Sequence, residues 1–511
     1  MLHSMPQLQA NRNKFSVMTA NHGLTYSRRG VAVSAITLGL ACLFLPSSGI
    51  AAGVDLAKVT RYELRVKIQP SEEHLTASAQ MTLSNPSAVP LREIPFLLYR
   101  LLAVEAAEDD KGVPLPFRQA VVSMSDEKNW QVNSLTVTLR EPLPPGGSTR
   151  ITLKYSGAIF GYREVMAYVR DHIGEDYTLL RPDALAYPML AAPSSPSLSA
   201  AYDTYFTYDL EVTVPSGTTV ACGGLPGGVS ASNGMETFRF ASRIPTWRID
   251  IAAARFKVLK NDSGNLVVYA LLEDETGGVN LLKEMQRVME FYTLRFGPSN
   301  KATSYTVIEI PGGWGSQASD FYIMQAAAAF KDPKSAHELY HEIGHSWNAK
   351  AKPEVRRTRW FDEAFAAYFE ALALREFAGQ KQFDDQMAMY REHFRSAVKK
   401  NSRSATTPIA EYGKEELGGN SYTKGAWSLY VLNQIVGDEK FNQIIRAFLA
   451  EFSDRPAGFA EFQAVAERVS KRELSRFFKE WIVGAESSEL LIGNASVQEI
   501  VERYRAAGER N

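Results

Sequence analysis

The chain has 511 residues, 45% of them hydrophobic, which is enough for about three domains of ordinary size with packed cores. Lysine and arginine total 56 against 57 aspartate and glutamate residues, and the sequence has no extended run of one charge sign. Nucleic acids and anionic membrane surfaces attract a basic excess, so we expect neither as a partner. The composition therefore predicts a globular protein of several domains.

The first 52 residues have the three parts of an export signal. Arg28 and Arg29 precede an apolar run, Val31–Leu45, and the small residues GIAAG follow it, so we expect cleavage after Ala52. The alternative is an uncleaved membrane anchor, but a spanning helix needs about 20 apolar residues and this run has about 15. We therefore predict removal of residues 1–52, export to the periplasm or beyond the cell, and no stable membrane insertion afterwards.

The rest of the chain changes character twice. Apolar and polar residues alternate between turn residues in segments such as YELRVKIQ, TRITLKYSG and YDLEVTVPSG, which predicts an antiparallel β-domain in residues 53–257. Two further strands and the helical segment LLKEMQRVMEFYTLRF begin a mixed α/β domain, residues 258–400. Helical patterns then fill residues 401–511. The expected fold class is multi-domain α+β.

The segment HELYHEIGH, His337–His345, contains the pattern HExxH twice, overlapping at His341. Two histidines four positions apart on a helix are rotated by about 40°, so both imidazoles can reach one ion, and the glutamate after the first lies beside the remaining coordination position. Catalytic zinc takes three protein ligands, so the third must come from another segment. By local spacing alone, His337 and His341 with Glu338 are as possible as His341 and His345.

A third ligand is available in the apolar, helix-forming segment RWFDEAFAAYFE. This segment carries Glu363 eighteen positions after His345, far enough for a turn and a return on an antiparallel neighbouring helix. We predict one zinc ion per chain, bound by His341, His345 and Glu363, with Glu342 as general base. Glu370 lies on the same helix face as Glu363, and we expect it to be solvated or salt-bridged rather than to support a ligand.

Three segments, HEIGHSW, WFDEAFAAYFE and SYTKGAWSLYVL, resemble HExxHxW, WLNEGFAxYxE and YEKGxxxLxxL of the aminopeptidase N and leukotriene hydrolase family of gluzincin metallopeptidases. They follow in the family's order, and the resemblance covers most of the chain after the signal. It favours the pair His341 and His345, and predicts that His337 packs in the core or supports the site. It implies an N-terminal β-saddle, a thermolysin-like catalytic domain containing the HExxH helix, and a C-terminal helical domain that completes the active site. It also implies that Tyr422 donates a hydrogen bond to the oxyanion of the tetrahedral intermediate, as a phenol that is neutral at neutral pH can do.

Two family features that bind the α-amine of a substrate are changed in this chain. The family's GxMEN segment corresponds to GGWGS, with Gly315 at the glutamate position and Ser316 at the asparagine position. A glutamine of the family's N-terminal domain is replaced in the neighbourhood of Leu179 and Leu180. An ammonium group without a carboxylate partner costs several kcal/mol in a partly desolvated site. Asp320 is a candidate substitute.

The sequence therefore predicts an exported zinc metallopeptidase that hydrolyses peptides by zinc-activated water, most nearly as an aminopeptidase. Zinc is expected to lower the pKa of its water toward about 7, and Glu342 to carry the proton to the leaving amine. One alternative is a zinc endopeptidase or a hydrolase of N-blocked peptides. Another is a catalytically inactive, zinc-containing peptide-binding protein, which is disfavoured because Glu342 and Tyr422 contribute little to holding a metal.

Overall fold

The computed structural model describes residues 57–299, 303–312, 317–319, 321–453 and 455–505. The predicted signal, residues 1–52, lies outside the described residues, as do Gly315, Ser316 and Asp320. All of the described residues belong to one compact unit. Among the described residues, no helix combines the length and the apolar character that crossing a membrane requires.

The N-terminal part of the described chain is built from strands, with one helix, α1 (Ser195–Tyr202). The strands are β1 (Lys58–Gln69), β2 (His74–Ser84), β3 (Leu91–Tyr99), β4 (Leu102–Glu108), β5 (Phe117–Ser123), β6 (Gln131–Leu143), β7 (Ser148–Gly157), β8 (Tyr177–Leu180), β9 (Thr207–Pro215), β10 (Thr219–Cys222), β11 (Leu225–Ser232), β12 (Met235–Ala241) and β13 (Ile251–Ala254).

These strands form a seven-stranded sheet in the order β11-β12-β9-β1-β2-β7-β4 and two three-stranded sheets, β3-β6-β5 and β10-β13-β8. The predicted alternation is visible in β1, where every second side chain is buried because strand side chains alternate between faces: Tyr62, Leu64, Val66 and Ile68. We expected an antiparallel domain, but β1 and β9 pair in parallel, so the seven-stranded sheet is mixed.

A central sheet follows, formed by β14 (Phe256–Lys260), β15 (Leu266–Leu271), β16 (Tyr305–Ile310), β17 (Gln317–Ser319) and β18 (Tyr322–Ala326) in the order β14-β15-β16-β18-β17. The helix α2 (Glu275–Phe296) packs on β15 through residues at helical spacing, among them Leu281, Met285 and Val288. Gly312 lies in a turn. The edge strand is β17, antiparallel to β18.

The remaining chain is helical. Its helices are α3 (Ala328–Lys331), α4 (His337–Gly344), α5 (Pro353–Arg356), α6 (Phe365–Ala378), α7 (Gln380–Lys400), α8 (Arg403–Thr406), α9 (Lys424–Val436), α10 (Asp438–Glu451), α11 (Phe459–Ser470), α12 (Ser475–Phe478), α13 (Ser487–Ile492) and α14 (Val497–Arg505). A π-helical turn, Trp360–Ala364, leads into α6. Every side chain from Phe365 to Ala373 is buried, as is typical of a helix surrounded on all sides.

The predicted fold class is therefore confirmed: a β-rich N-terminal part, a central α/β part that contains the HExxH helix, and a helical C-terminal part. The central sheet begins with β14 at Phe256, close to the expected boundary between residues 257 and 258. The domain boundaries themselves stay predictions.

Candidate metal centre

The overlapping HExxH motifs form α4, and the last histidine begins a single 3-10 turn, His345–Trp347. Leu339 and Ile343 bury their side chains completely, which anchors one face of α4 in the core. The end of the segment is fixed by Trp347, whose Nε1 donates to the carbonyl of Gly297 at 2.8 Å. This anchoring leaves His341 and His345 on the other face, with their ring centroids 4.9 Å apart.

Glu363 reaches the two histidines from the π-helical turn before α6. Its Oε2 lies 3.1 Å from Nε2 of His341 and 3.7 Å from Nε2 of His345. The three candidate ligand atoms all lie within 4.8 Å of one another. Two imidazole nitrogens and one carboxylate oxygen are a donor set that catalytic zinc takes, with one position left for water. The described residues thus bring together the predicted triad, and it fits a single zinc ion.

Close approach of two helices makes this meeting possible. A Cβ atom at Gly344 would lie 3.4 Å from the Cα atom of Ala366, so the two small residues let α4 and α6 pack backbone to backbone. This contact fixes the position of α4 relative to the π-helical turn that carries Glu363.

Each candidate histidine has a carboxylate at its other ring nitrogen. Asp362 Oδ1 lies 2.7 Å from Nδ1 of His345, and Glu370 Oε2 lies 3.4 Å from Nδ1 of His341. Such partners fix the tautomer and the ring orientation of a metal-binding histidine. Both imidazoles therefore present Nε2 to Glu363.

Glu370 is salt-bridged, as one part of our expectation had it, but it is buried rather than solvated and one of its partners is the candidate ligand His341. Its Oε1 lies 3.0 Å from Nδ1 of His337, and its Oε2 accepts a hydrogen bond from the Tyr390 hydroxyl at 2.9 Å. Burial alone would raise the pKa of Glu370, but the hydrogen bonds to His337 and His341 hold it well below its ordinary value. The sequence signal was its spacing seven positions after Glu363, on the same helix face.

His337 lies outside the group of candidate ligands and contacts Glu370. The expectation that His337 is not a ligand agrees with this geometry. Glu338 accepts a hydrogen bond from Nε2 of Gln325, on β18, at 3.4 Å.

Glu342 and Tyr422, the two predicted catalytic residues, both lie at this centre. Glu342 Oε2 is 3.8 Å from Nε2 of His345. The Tyr422 ring is nearly parallel to that of His341, with centroids 5.6 Å apart and an interplanar angle of 13°. Burial, and then the negative charge of Glu363, raise the pKa of Tyr422 well above its ordinary value. The phenol therefore keeps its proton and can donate a hydrogen bond.

Tyr422 ends a 3-10 turn, Gly418–Tyr422, immediately before α9. The neighbouring Ser421 hydroxyl donates to the carbonyl of Thr358 at 2.7 Å. This bond ties the tyrosine turn to the segment that carries Glu363, so the two are positioned together.

Arg359 is a further residue of the centre, and nothing in the sequence pattern indicated it. Its backbone has φ of 59°, a left-handed conformation that costs a non-glycine residue on the order of 1 kcal/mol or more. Its Nη2 contacts Glu363 Oε1 and lies 3.1 Å from Asp362 Oδ2. Burial would raise the pKa of Glu363, but the charge of Arg359 and the hydrogen bond with His341 lower it to about 2.

The region of the missing glutamine is apolar. Leu179 and Leu180 lie on β8 and are buried, and Leu179 packs in one cluster with Ile308 and Met324 of the central sheet. These two positions therefore offer no polar side chain to a substrate amine.

The fold and the convergent His, His and Glu side chains resemble those expected of a gluzincin metallopeptidase. Residues 319–481 match the peptidase family M1 domain. The predicted resemblance to the aminopeptidase N and leukotriene hydrolase family is confirmed over this segment. The prediction of a zinc metallopeptidase agrees with this match.

Among curated proteins, the chain is similar to a probable aminopeptidase 2 of Sulfurisphaera tokodaii, with 23% identity over 269 residues, 48% of this chain and 34% of that protein. It is 30% identical to human endoplasmic reticulum aminopeptidase 2 over 126 residues, 23% of this chain and 13% of that protein. The chain thus spans about a third or less of the length of these relatives.

Among solved structures, the fold is similar to an M1 zinc metallopeptidase from Deinococcus radiodurans, with a TM-score of 0.55 and 20% identity over 86% of this chain and 94% of that one. It is also similar to yeast LTA4 hydrolase, with a TM-score of 0.60 and 12% identity over 84% of this chain and 68% of that one. These two likenesses extend over most of the β-rich, central and helical parts.

Proposed function

We propose that the protein is an exported zinc metallopeptidase that hydrolyses peptide bonds. The observation that carries this proposal is the convergence of His341, His345 and Glu363, whose candidate ligand atoms lie within 4.8 Å of one another. A carboxylate, Glu342, and a neutral phenol, Tyr422, lie beside the group. A general base and an oxyanion donor next to a metal are the parts that peptide hydrolysis requires.

Zinc bound by the three ligands would supply a Lewis acid that polarises the scissile carbonyl and lowers the pKa of water toward about 7. Glu342 takes a proton from the attacking water and passes it to the leaving amine. Tyr422 donates its O–H to the oxyanion that develops on the former carbonyl oxygen. No covalent intermediate with the enzyme is required.

The edge strand β17 supports an extended substrate. An exposed strand edge offers backbone N–H and C=O groups with which a peptide can pair, and this strand belongs to the sheet that borders α4 through β18. We propose aminopeptidase-like action because the curated relatives that match are aminopeptidases. Action on internal bonds or N-blocked peptides is the competing possibility, because Leu179 and Leu180 replace an amine contact.

The proposal of export rests on the sequence of residues 1–52, with the apolar run that follows Arg28 and Arg29. N-terminal sequencing of the protein recovered from a host periplasm or culture medium tests it. A chain that starts at Gly53 supports cleavage after Ala52, whereas an intact chain retained in the membrane fraction supports the uncleaved anchor.

The activity is tested by a time course on two peptides that differ only in N-acetylation, with Glu342→Gln as the background control. Trimming of the free-amine peptide alone, lost in Glu342→Gln, supports an aminopeptidase. Equal or faster cleavage of the acetylated peptide supports the endopeptidase alternative. If a broad peptide mixture is bound but never cleaved by the zinc-loaded protein, the function is peptide binding and the proposal is wrong.

A further inference from the structure

Arg359 is a positive charge at the edge of the metal centre, between the third ligand and the oxyanion tyrosine. Its Nη2 contacts Glu363 Oε1, the oxygen that does not face the histidines, and lies 3.1 Å from Asp362 Oδ2. Its guanidinium carbon lies 5.9 Å from the centre of the Tyr422 ring. The cation is thus placed beside the reacting bond of the proposed substrate.

The contacts of Arg359 use only one end of the guanidinium. Within the described ranges, Nη2 makes both carboxylate contacts, while Nε and Nη1 donate no hydrogen bond to any residue. The side chain as a whole is 43% exposed. Each of these unused N–H groups can donate a charge-assisted hydrogen bond to a carboxylate oxygen.

The backbone conformation of Arg359, which determines where its guanidinium lies, is fixed by two hydrogen bonds. Its left-handed φ of 59° is held from both sides, because the N–H of Arg359 donates to the carbonyl of Arg356 at 3.1 Å and its carbonyl accepts from the N–H of Glu363 at 2.8 Å. Strained residues of this kind concentrate at ligand-binding positions, where the surrounding structure supports them.

The neighbouring carboxylates do not fully neutralise the positive charge of Arg359. Asp362 also faces Nδ1 of His345 at 2.7 Å, and Glu363 directs its other oxygen to the two histidines. With a divalent ion on that oxygen, Glu363 no longer presents a full negative charge to the arginine. The site therefore favours an anionic group of the substrate next to the scissile bond.

We propose that Arg359 binds a substrate carboxylate, and that the natural substrates are peptides with a carboxylate within about one residue of the cleaved bond. The inference deepens the proposed peptidase function and rests on it. The carboxylate has two possible sources: the free C-terminus of a di- or tripeptide, or the side chain of aspartate or glutamate. Binding of the substrate through its carboxylate would offset the loss of amine contacts, such as the one at the position of the buried Leu179.

The test compares kcat and KM for matched peptides. One pair differs only in a C-terminal carboxylate or carboxamide one residue after the cleaved bond, and a second pair, with amidated C-termini, differs only in glutamate or glutamine beside it. Each pair is measured with the native chain, Arg359→Met and Arg359→Lys. Arg356→Met is the matched control, because Arg356 lies three positions earlier and pairs with the exposed Asp203 at 2.7 Å. Zinc content is measured for every variant.

We expect the native chain to favour the carboxylate member of at least one pair by about tenfold or more in kcat/KM, chiefly through a lower KM. Arg359→Met should remove that preference, Arg359→Lys should retain part of it, and Arg356→Met should leave it unchanged, all with one zinc per chain. The pair that shows the preference identifies the source of the carboxylate. Equal rates on both members of both pairs, or a preference that survives Arg359→Met, would overturn the proposal.

A binding arm separates this inference from the proposed activity. Calorimetry with the zinc-loaded native chain compares N-acetyl-glutamate α-amide and N-acetyl-glutamine, each carrying one carboxylate, with the uncharged N-acetyl-glutamine α-amide. Tighter binding of a charged probe that is lost in Arg359→Met supports carboxylate recognition even if no peptide is cleaved. A carboxylate that binds equally well to Arg359→Met contacts the zinc alone, and the proposal then fails although the metallopeptidase assignment stands.

Discussion

Asp362 Oδ1 lies 2.7 Å from Nδ1 of His345, across the imidazole ring from the Nε2 that faces Glu363. Asn348 donates a further hydrogen bond to the same oxygen at 3.2 Å. One candidate ligand, Glu363, and Asp362, the partner of another candidate ligand, are thus consecutive residues of a single π-helical turn. The position of that turn therefore controls two ligands together.

Loss of the Asp362 carboxylate should weaken zinc binding. Asp362→Ala leaves Nδ1 of His345 without its charged partner, and we expect affinity to fall about 10–100-fold, as for other partners of metal-binding histidines. Chelator competition measures the change. Asp203→Ala, which removes an exposed aspartate, is the control and should bind zinc as the native chain does. Unchanged affinity in Asp362→Ala would show that another group orients His345.

The two overlapping HExxH pairs predict opposite outcomes for substitution of their outer histidines. If His341 and His345 are the ligands, His345→Asn loses its zinc on dialysis, whereas His337→Asn keeps about one ion per chain. Elemental analysis after dialysis distinguishes the two. Loss of the ion from His337→Asn with retention by His345→Asn would assign the site to the rival pair.

Removal of the Tyr422 hydroxyl should affect turnover more than substrate binding. The phenol is expected to act on the oxyanion, which exists only after attack, so Tyr422→Phe should lower kcat by about 10²–10³-fold with little change in KM. Steady-state kinetics with the best peptide measures this, and zinc content confirms an intact centre. A change confined to KM would contradict the assigned role.

Lys424 gives stability a pH dependence. Burial lowers the pKa of Lys424 to about 7 despite the charge of Glu486, and its Nζ donates to the Ser488 hydroxyl at 2.9 Å. The unfolded chain keeps a lysine pKa near 10.4, so between about pH 7 and 10 it binds more protons than the folded protein. The contribution of Lys424 to the free energy of unfolding therefore rises with pH in that window, by up to roughly 1.4 kcal/mol per unit.

Urea unfolding of the native chain and of Lys424→Met at pH 7 and pH 9 checks this contribution. The native chain should gain stability relative to Lys424→Met on going to pH 9. If the difference between the two proteins is the same at both pH values, Lys424 does not titrate in the window, and the assigned pKa is wrong.

Much of the architecture and the metal ligands could be predicted because they follow from local patterns. Strand alternation marked the β-rich part. The two overlapping HExxH pairs marked the candidate ligands, and the family resemblance favoured His341 and His345 with Glu363. The parallel pairing of β1 with β9 could not be predicted, because it joins strands far apart in the sequence and alternation is the same in either direction.

The supporting residues of the centre were missed for a different reason. Asp362, Glu370 and Arg359 are common charged residues on helical segments, and their default environment is solvent. Only the tertiary fold shows that Glu370 is buried between His337 and His341. The π-helical turn that orients Asp362 and Arg359 also has no distinctive local pattern in this sequence.

Because of that π-helical turn, the candidate metal centre should be more sensitive to the deletion of one residue than to many side-chain substitutions. A π-helical turn accommodates one residue more than an α-helical turn, and each residue of an α-helix rotates the chain by about 100°. Deleting Ala364, which lies between Glu363 and α6, would restore regular α-helix while shifting the phase of everything before it. We expect such a deletion to leave α6 folded but to turn Glu363 away from both histidines, so a single-codon loss would inactivate the protein while sparing its fold.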